Sequence, residues 1–367
     1  MNRQRMIIHR VSTFAQETEY GSSHYPETVK RAIIMKHITS FVIYLQLCIL
    51  ALTASITGCG DEIFDLAEQA NEGIVIGAAL VYDGVSSHVI FTDGKGYFRT
   101  ITVDGMAPPS GGEKICLDSK GRIHIIDITP SIFSYSPEDR QWYISPGDYI
   151  SIASGNGEVY SIINAGSYYV YRFDRDSGNQ WINSGIDITG FTIPPTPLLA
   201  RDPVTGNVFI EDYPGIDAHL YRLPDLSPFG LTNMPSVPAC FAMYNNEAFY
   251  MSGDHLYSSL RGQMTVTALT TVTDLIVVDS NTIFAVVDGG ACKIHRYDKS
   301  ISDWTLSYDF SVSSGALNVA VMGNGKLLVG MYGALPPEVN GLYMFDYNTN
   351  ILTRISTLTT YAATSSR

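Results

Sequence analysis

The chain has 367 residues, 45% of them hydrophobic and 11% aromatic, which is enough apolar mass for one large domain or two ordinary ones. Only 16% are charged and the formal net charge is −13, so the field of the molecule repels polyanions and excludes a nucleic-acid partner. The 32 Gly and 23 Tyr favour a β-rich fold with many turns.

From the N-terminus, residues 1–34 show no pattern that predicts a fold. Met35-Lys36-His37 makes an ordinary start, and residues 35–58 then read as an export signal. Its parts are a basic flank at Lys36, an apolar centre between Ile38 and Ile56, and the small residues Thr57-Gly58. The alternative is a retained membrane helix, which needs about 20 strongly apolar residues. The tetrapeptide Ile56-Thr57-Gly58-Cys59 resembles the lipobox of bacterial lipoproteins. That resemblance implies cleavage before Cys59, lipidation of its thiol and acylation of the new amino terminus. Several acyl chains on one residue give stable anchoring, where one chain is marginal. The expected membrane partner is thus reached through lipid, in a bacterial cell envelope. Residues 59–72 are read as a tether. From Cys59 onward the net charge is −16.

A unit of four apolar runs recurs over residues 73–357, with residues 358–367 left as a C-terminal tail. The second run gives the register. Its anchors are Val89, Ile123, Val159, Val208, Ala248, Ile283 and Leu327, at steps of 34, 36, 49, 40, 35 and 44 residues. A period near 40 matches propeller blades. The third run carries paired aromatics, as in Tyr171-Arg172-Phe173-Asp174 and Tyr343-Met344-Phe345-Asp346. Trp142, Trp181 and Trp304 each follow such a run by seven or eight residues. This resembles the aromatic-x-aromatic-Asp segment and trailing Trp of kelch-type repeats, in which the Trp packs between blades. The predicted fold is all-β, a propeller of seven four-stranded blades, with six or eight as the alternatives. A sandwich would not keep a 40-residue unit, and a solenoid needs shorter or more uniform ones. The fourth strand of the first unit is missing locally and is open to supply by the other terminus. Cys116, Cys240 and Cys292 sit in strand-like runs and are expected to be buried free thiols.

In propellers, ligands usually lie at the mouth of the central channel. The loops after the second runs hold Asp93, Asp127, Asn164, Asp212, Asp254 and Asp288, the candidate binding rim. Close carboxylates focus a negative potential suited to a cation or a basic peptide. Ordinary turn capping explains the same residues without a ligand. Asp118, Asp202 and Asp279, after the first runs, read as hairpin-turn residues. Two long loops, Tyr332–Asn340 and Tyr213–Asp217, interrupt the period and are candidate binding insertions. No nucleophile elbow, zinc helix, phosphate loop or EF-hand occurs, so no cofactor, metal or catalytic residue is assigned. Single strand histidines such as His88 and His124 are expected to be structural. The expected function is a lipid-anchored envelope module that binds a protein or small molecule. The alternative is an envelope lyase or hydrolase with its site at the channel mouth.

Overall fold

The structure is a computed structural model that describes residues 76–366, except 94–97, 130, 192–198, 213–218, 230–239, 253, 289–290 and 324. The leader, Cys59, the tether and the insertion at 213–218 lie outside the described residues.

Seven four-stranded antiparallel sheets are arranged in a ring, the architecture of a seven-bladed β-propeller. Each blade runs from an inner strand outward. The inner strands are Lys114–Leu117 (blade 2), Tyr149–Gly155 (blade 3), Leu199–Arg201 (blade 4), Phe241–Tyr244 (blade 5), Val272–Asp279 (blade 6), Ser314–Val321 (blade 7) and Thr359–Ser365 (blade 1). Each touches the next, and the series closes on itself.

The period-2 rule of a strand explains how the ring packs. In the second strand of blade 4, Val208 and Ile210 face blade 3, where they meet Tyr160 and Ile162. Phe209, between them, faces blade 5 and meets Phe241 and Ala248. Both faces are thus buried, and the second strands read as unbroken apolar runs. Phe209, Phe249 and Phe284 recur at one register position and are fully buried. Each contributes about 2–3 kcal/mol from burial. The three Trp lie on outer strands and pack between blades or against their seams. Trp142 Nε1 donates to Thr102 O of blade 1 at 2.8 Å, and Trp181 Nε1 to Ser134 Oγ of blade 2 at 3.0 Å. Trp304 packs against the apolar layer shared by blades 5 and 6.

Two expectations need correction. Residues 359–365 are not a tail but the inner strand of blade 1, paired antiparallel with Gly77–Tyr82. Because that strand comes from the far end of the chain, the first unit begins with its second strand. The run anchored at Val89 (Ser87–Thr92) is therefore the third strand of blade 1, one out of register with the other six. Cys116, Cys240 and Cys292 are buried and free, as expected. Burial pushes the Cys116 and Cys292 thiols up to about 11.

Candidate functional site

The turns that join second to third strands lie on one edge of the ring, the turns from inner to second strands on the other. Asp127, Asn164, Asp212, Asp254 and Asp288 lie at the ends of second strands or in the turns that follow, and so share the first edge. Asp93 does not. It follows the third strand of blade 1, which places it at the opposite edge. The residue of blade 1 that corresponds to Asp127 is Asp83. Its Oδ1 accepts from the amides of Val85 and Ser86, and its Oδ2 meets His88 Nε2 at 2.9 Å.

Of the remaining rim residues, Asn164 and Asp127 bond within their own turns and Asp288 bonds across to blade 7. Asn164 Oδ1 accepts from Gly166 N at 3.3 Å. Asp127 is buried and accepts from Thr129 Oγ1, while its Oδ1 has no partner among the described residues. Asp288 accepts from Leu317 N of blade 7 and from Thr273 Oγ1, and burial raises its pKa. Asp212 is largely buried, and Asp254 is exposed in a left-handed turn at φ 67°. Among the described residues no three His, Cys, Asp or Glu converge as a metal site would require. Asp118, Asp202 and Asp279 cap their own turns through amides two or more residues on. His124 is buried, bonded to Ser134 Oγ at 2.9 Å and set edge-on to Phe173 and Trp181. Burial drops its pKa to about 4, so it is neutral and structural.

The concave feature is the channel itself. All seven inner strands line one cavity of about 270 Å³. Most of the residues lining it are aliphatic, but polar atoms, with Ser154, Thr364 and Ser365 among their sources, make up more than half of the surface it exposes, and Arg201 is the one charged residue among those lining it. Arg201 ends the inner strand of blade 4, and its Nη1 donates to Ser366 O at 3.1 Å. Burial lowers its pKa.

Nearer the edge that carries the second-to-third turns, Lys114 and Asp274 stand on the inner strands of blades 2 and 6. Lys114 Nζ donates to Ile150 O at 2.8 Å, and Asp274 Oδ1 accepts from Leu275 N at 2.8 Å. Burial pushes the Asp274 carboxyl up to about 7. The Leu275 amide opposes this, Asp288 adds to it, and Lys114 opposes it from across the channel. Burial likewise lowers Lys114. Neither residue nor Arg201 was singled out from sequence. A charged residue on an inner strand breaks an apolar run, and that was the available signal. Its meaning depends on which strands face the channel.

No protein-family model matches the sequence, and neither does any curated protein. Solved structures do match. A puromycin hydrolase shares 10% identity at a TM-score of 0.54, over 77% of this chain and 52% of that one. A puromycin-hydrolysing peptidase of Mycobacterium tuberculosis shares 10% at 0.51, over 79% and 54%. The chain thus spans about half the length of each. The WD40 repeats of RRP9 share 11% at 0.45, over 69% and 89%. At these identities the likeness is one of fold.

Proposed function

We propose that this protein is a lipid-anchored binding module of the bacterial cell envelope, a propeller of kelch-like repeats held to a membrane through Cys59. The observation that carries the binding reading is the channel cavity, which is open to solvent. Seven inner strands surround it with aliphatic side chains and polar groups together, and Arg201 is the one charged residue among those lining it. A concave apolar pocket with a few fixed polar groups is the usual form of a ligand site. The anchor rests on the lipobox-like tetrapeptide ending at Cys59.

One observation favours the second reading, an envelope hydrolase or lyase. Asp274 and Lys114 face each other across one end of the channel, with burial raising the carboxyl and lowering the amine, the kind of perturbed pair that acid–base catalysis uses.

Metabolic labelling with an alkyne fatty acid in a bacterial host tests the anchor. The wild-type chain is expected to be labelled and to fractionate with membranes. Cys59→Ala is expected to lose the label and appear in the soluble fraction. Labelling that persists in the variant would sink the lipoprotein reading.

A further inference from the structure

Arg201 belongs to blade 4, and the carbonyl it bonds, Ser366 O, lies just beyond the inner strand of blade 1. Blades 4 and 1 are three places apart in a ring of seven, so this bond spans the channel. The guanidinium therefore stands in the lumen rather than flat on its wall. Ile115, Ile152, Ala242, Leu275, Val319 and Ala363 surround the lumen from the six other blades.

A guanidinium carries five N–H donors in a planar fork. Here Nη1 has the Ser366 carbonyl, while Nε is buried and has no partner among the described residues. No carboxylate of the described residues pairs with it. Asp202, its sequence neighbour, is occupied by the amides of Val204, Thr205, Asn245 and Asn246. Arg201 is only partly exposed, and a carboxylate in the plane of its fork would supply two parallel bonds to a guanidinium that has no carboxylate partner among the described residues.

We propose that the channel cavity binds a small organic carboxylate, its charged end on the Arg201 fork and its short body among the aliphatic side chains of the inner strands. This rests on the reading of the channel as the binding site and names the ligand class. Size sets a limit. A cavity of about 150 Å³ holds benzene, so about 270 Å³ suits a molecule of roughly ten heavy atoms or fewer. The net charge of −16 beyond residue 58 repels anions at long range. Selectivity therefore comes from the local fork in low dielectric, where Arg and Lys are not equivalent.

The test compares hexanoate with 1-hexanol on the purified full chain, by calorimetric titration and by thermal shift. Hexanoate is expected to bind saturably and at least about tenfold more tightly than the alcohol, the factor that one good charged hydrogen bond supplies. Arg201→Lys is expected to keep the preference at reduced strength. Arg201→Met is expected to bind the two alike. If Arg201→Met does not fold, wild type and Arg201→Lys still decide the matter. Equal affinity of wild type for both ligands would overturn the carboxylate assignment and leave the channel as a binding site. Binding of neither would overturn the channel reading as well. A preference for hexanoate that survives in folded Arg201→Met would remove Arg201 from the site.

Discussion

Glu211 shows how one residue departs from its repeat. The second strands of blades 2, 3, 5 and 6 hold Ile126, Ile162, Met251 and Val286 at its register position, all apolar and buried. Blade 4 holds a carboxyl there that is 0% exposed, with neither oxygen hydrogen-bonded among the described residues. Burial pushes its pKa up to about 7. In the unfolded chain the group ionises near 4.5. Between these values the folded state holds the extra proton, so stability falls as pH rises through that window and levels off above it. The shift corresponds to about 3 kcal/mol at neutral pH. Glu211→Met is expected to remove most of that slope and to raise stability by a comparable amount above pH 7. Urea unfolding at pH 4.5 and pH 8 checks it, and an unchanged pH slope in the variant would refute the account.

At the scale of elements, the turns do more than reverse the chain. Asp202 caps the first turn of blade 4 through the amides of Val204 and Thr205 and the Thr205 hydroxyl. It also receives the amides of Asn245 and Asn246 from the corresponding turn of blade 5, at 2.9 and 2.7 Å. Those two Asn have φ of 51° and 58°, the left-handed pair of a two-residue hairpin turn, which turns their amides outward. The carboxylate thus joins two blades at one edge. Burial alone would raise its pKa, but the amide and hydroxyl bonds outweigh that and hold it below the ordinary value. Asp202→Ala leaves several part-buried amides and the Thr205 hydroxyl without their acceptor and is expected to cost about 2–3 kcal/mol in chemical denaturation. A cost below about 1 kcal/mol, the worth of one ordinary hydrogen bond, would show that the inter-blade bonds carry little. Between blades 3 and 4 backbone contact plays a similar part. A side-chain carbon on Gly155 would fall 2.2 Å from Gly206 O, so the close approach requires glycine there.

At the scale of the molecule, the ring closes by joining its two ends in one sheet. Thr359–Ser365 supplies the inner strand of a blade whose other three strands begin at Gly77. The amide of Ser366 donates to Ile76 O, and its Oγ accepts from Ile76 N. Deleting 358–367 removes that strand, exposes the edge of Gly77–Tyr82, and takes away the carbonyl that holds Arg201. An unpaired inner edge is a template for association with other chains. The truncated protein is expected to elute as aggregates and to lose its near-ultraviolet circular dichroism. A monodisperse product with the native spectrum would contradict this account of closure.

The repeat, the seven units and the buried thiols were legible in the chain because each rests on local chemistry: strand periodicity, turn residues and apolar runs. The same chemistry correctly marked Asp118, Asp202 and Asp279 as turn residues. It misplaced Asp93, because two adjacent strands of blade 1 are both apolar and their order depends on a partner some 280 residues away. For the same reason residues 358–367 resembled a tail: alternation in Thr359–Ser365 is weak until the strand has a blade to complete. Which polar residues face the lumen was likewise beyond local reading. Asp202 and Arg201 are neighbours in sequence, yet one joins two turns at the edge and the other reaches across the channel. The sequence by itself determined that the chain folds as a ring of blades, since strand and turn propensities act over a few residues. Only the tertiary structure decided what lies inside the ring, since seven strands distant in sequence must meet before a cavity or its single guanidinium exists.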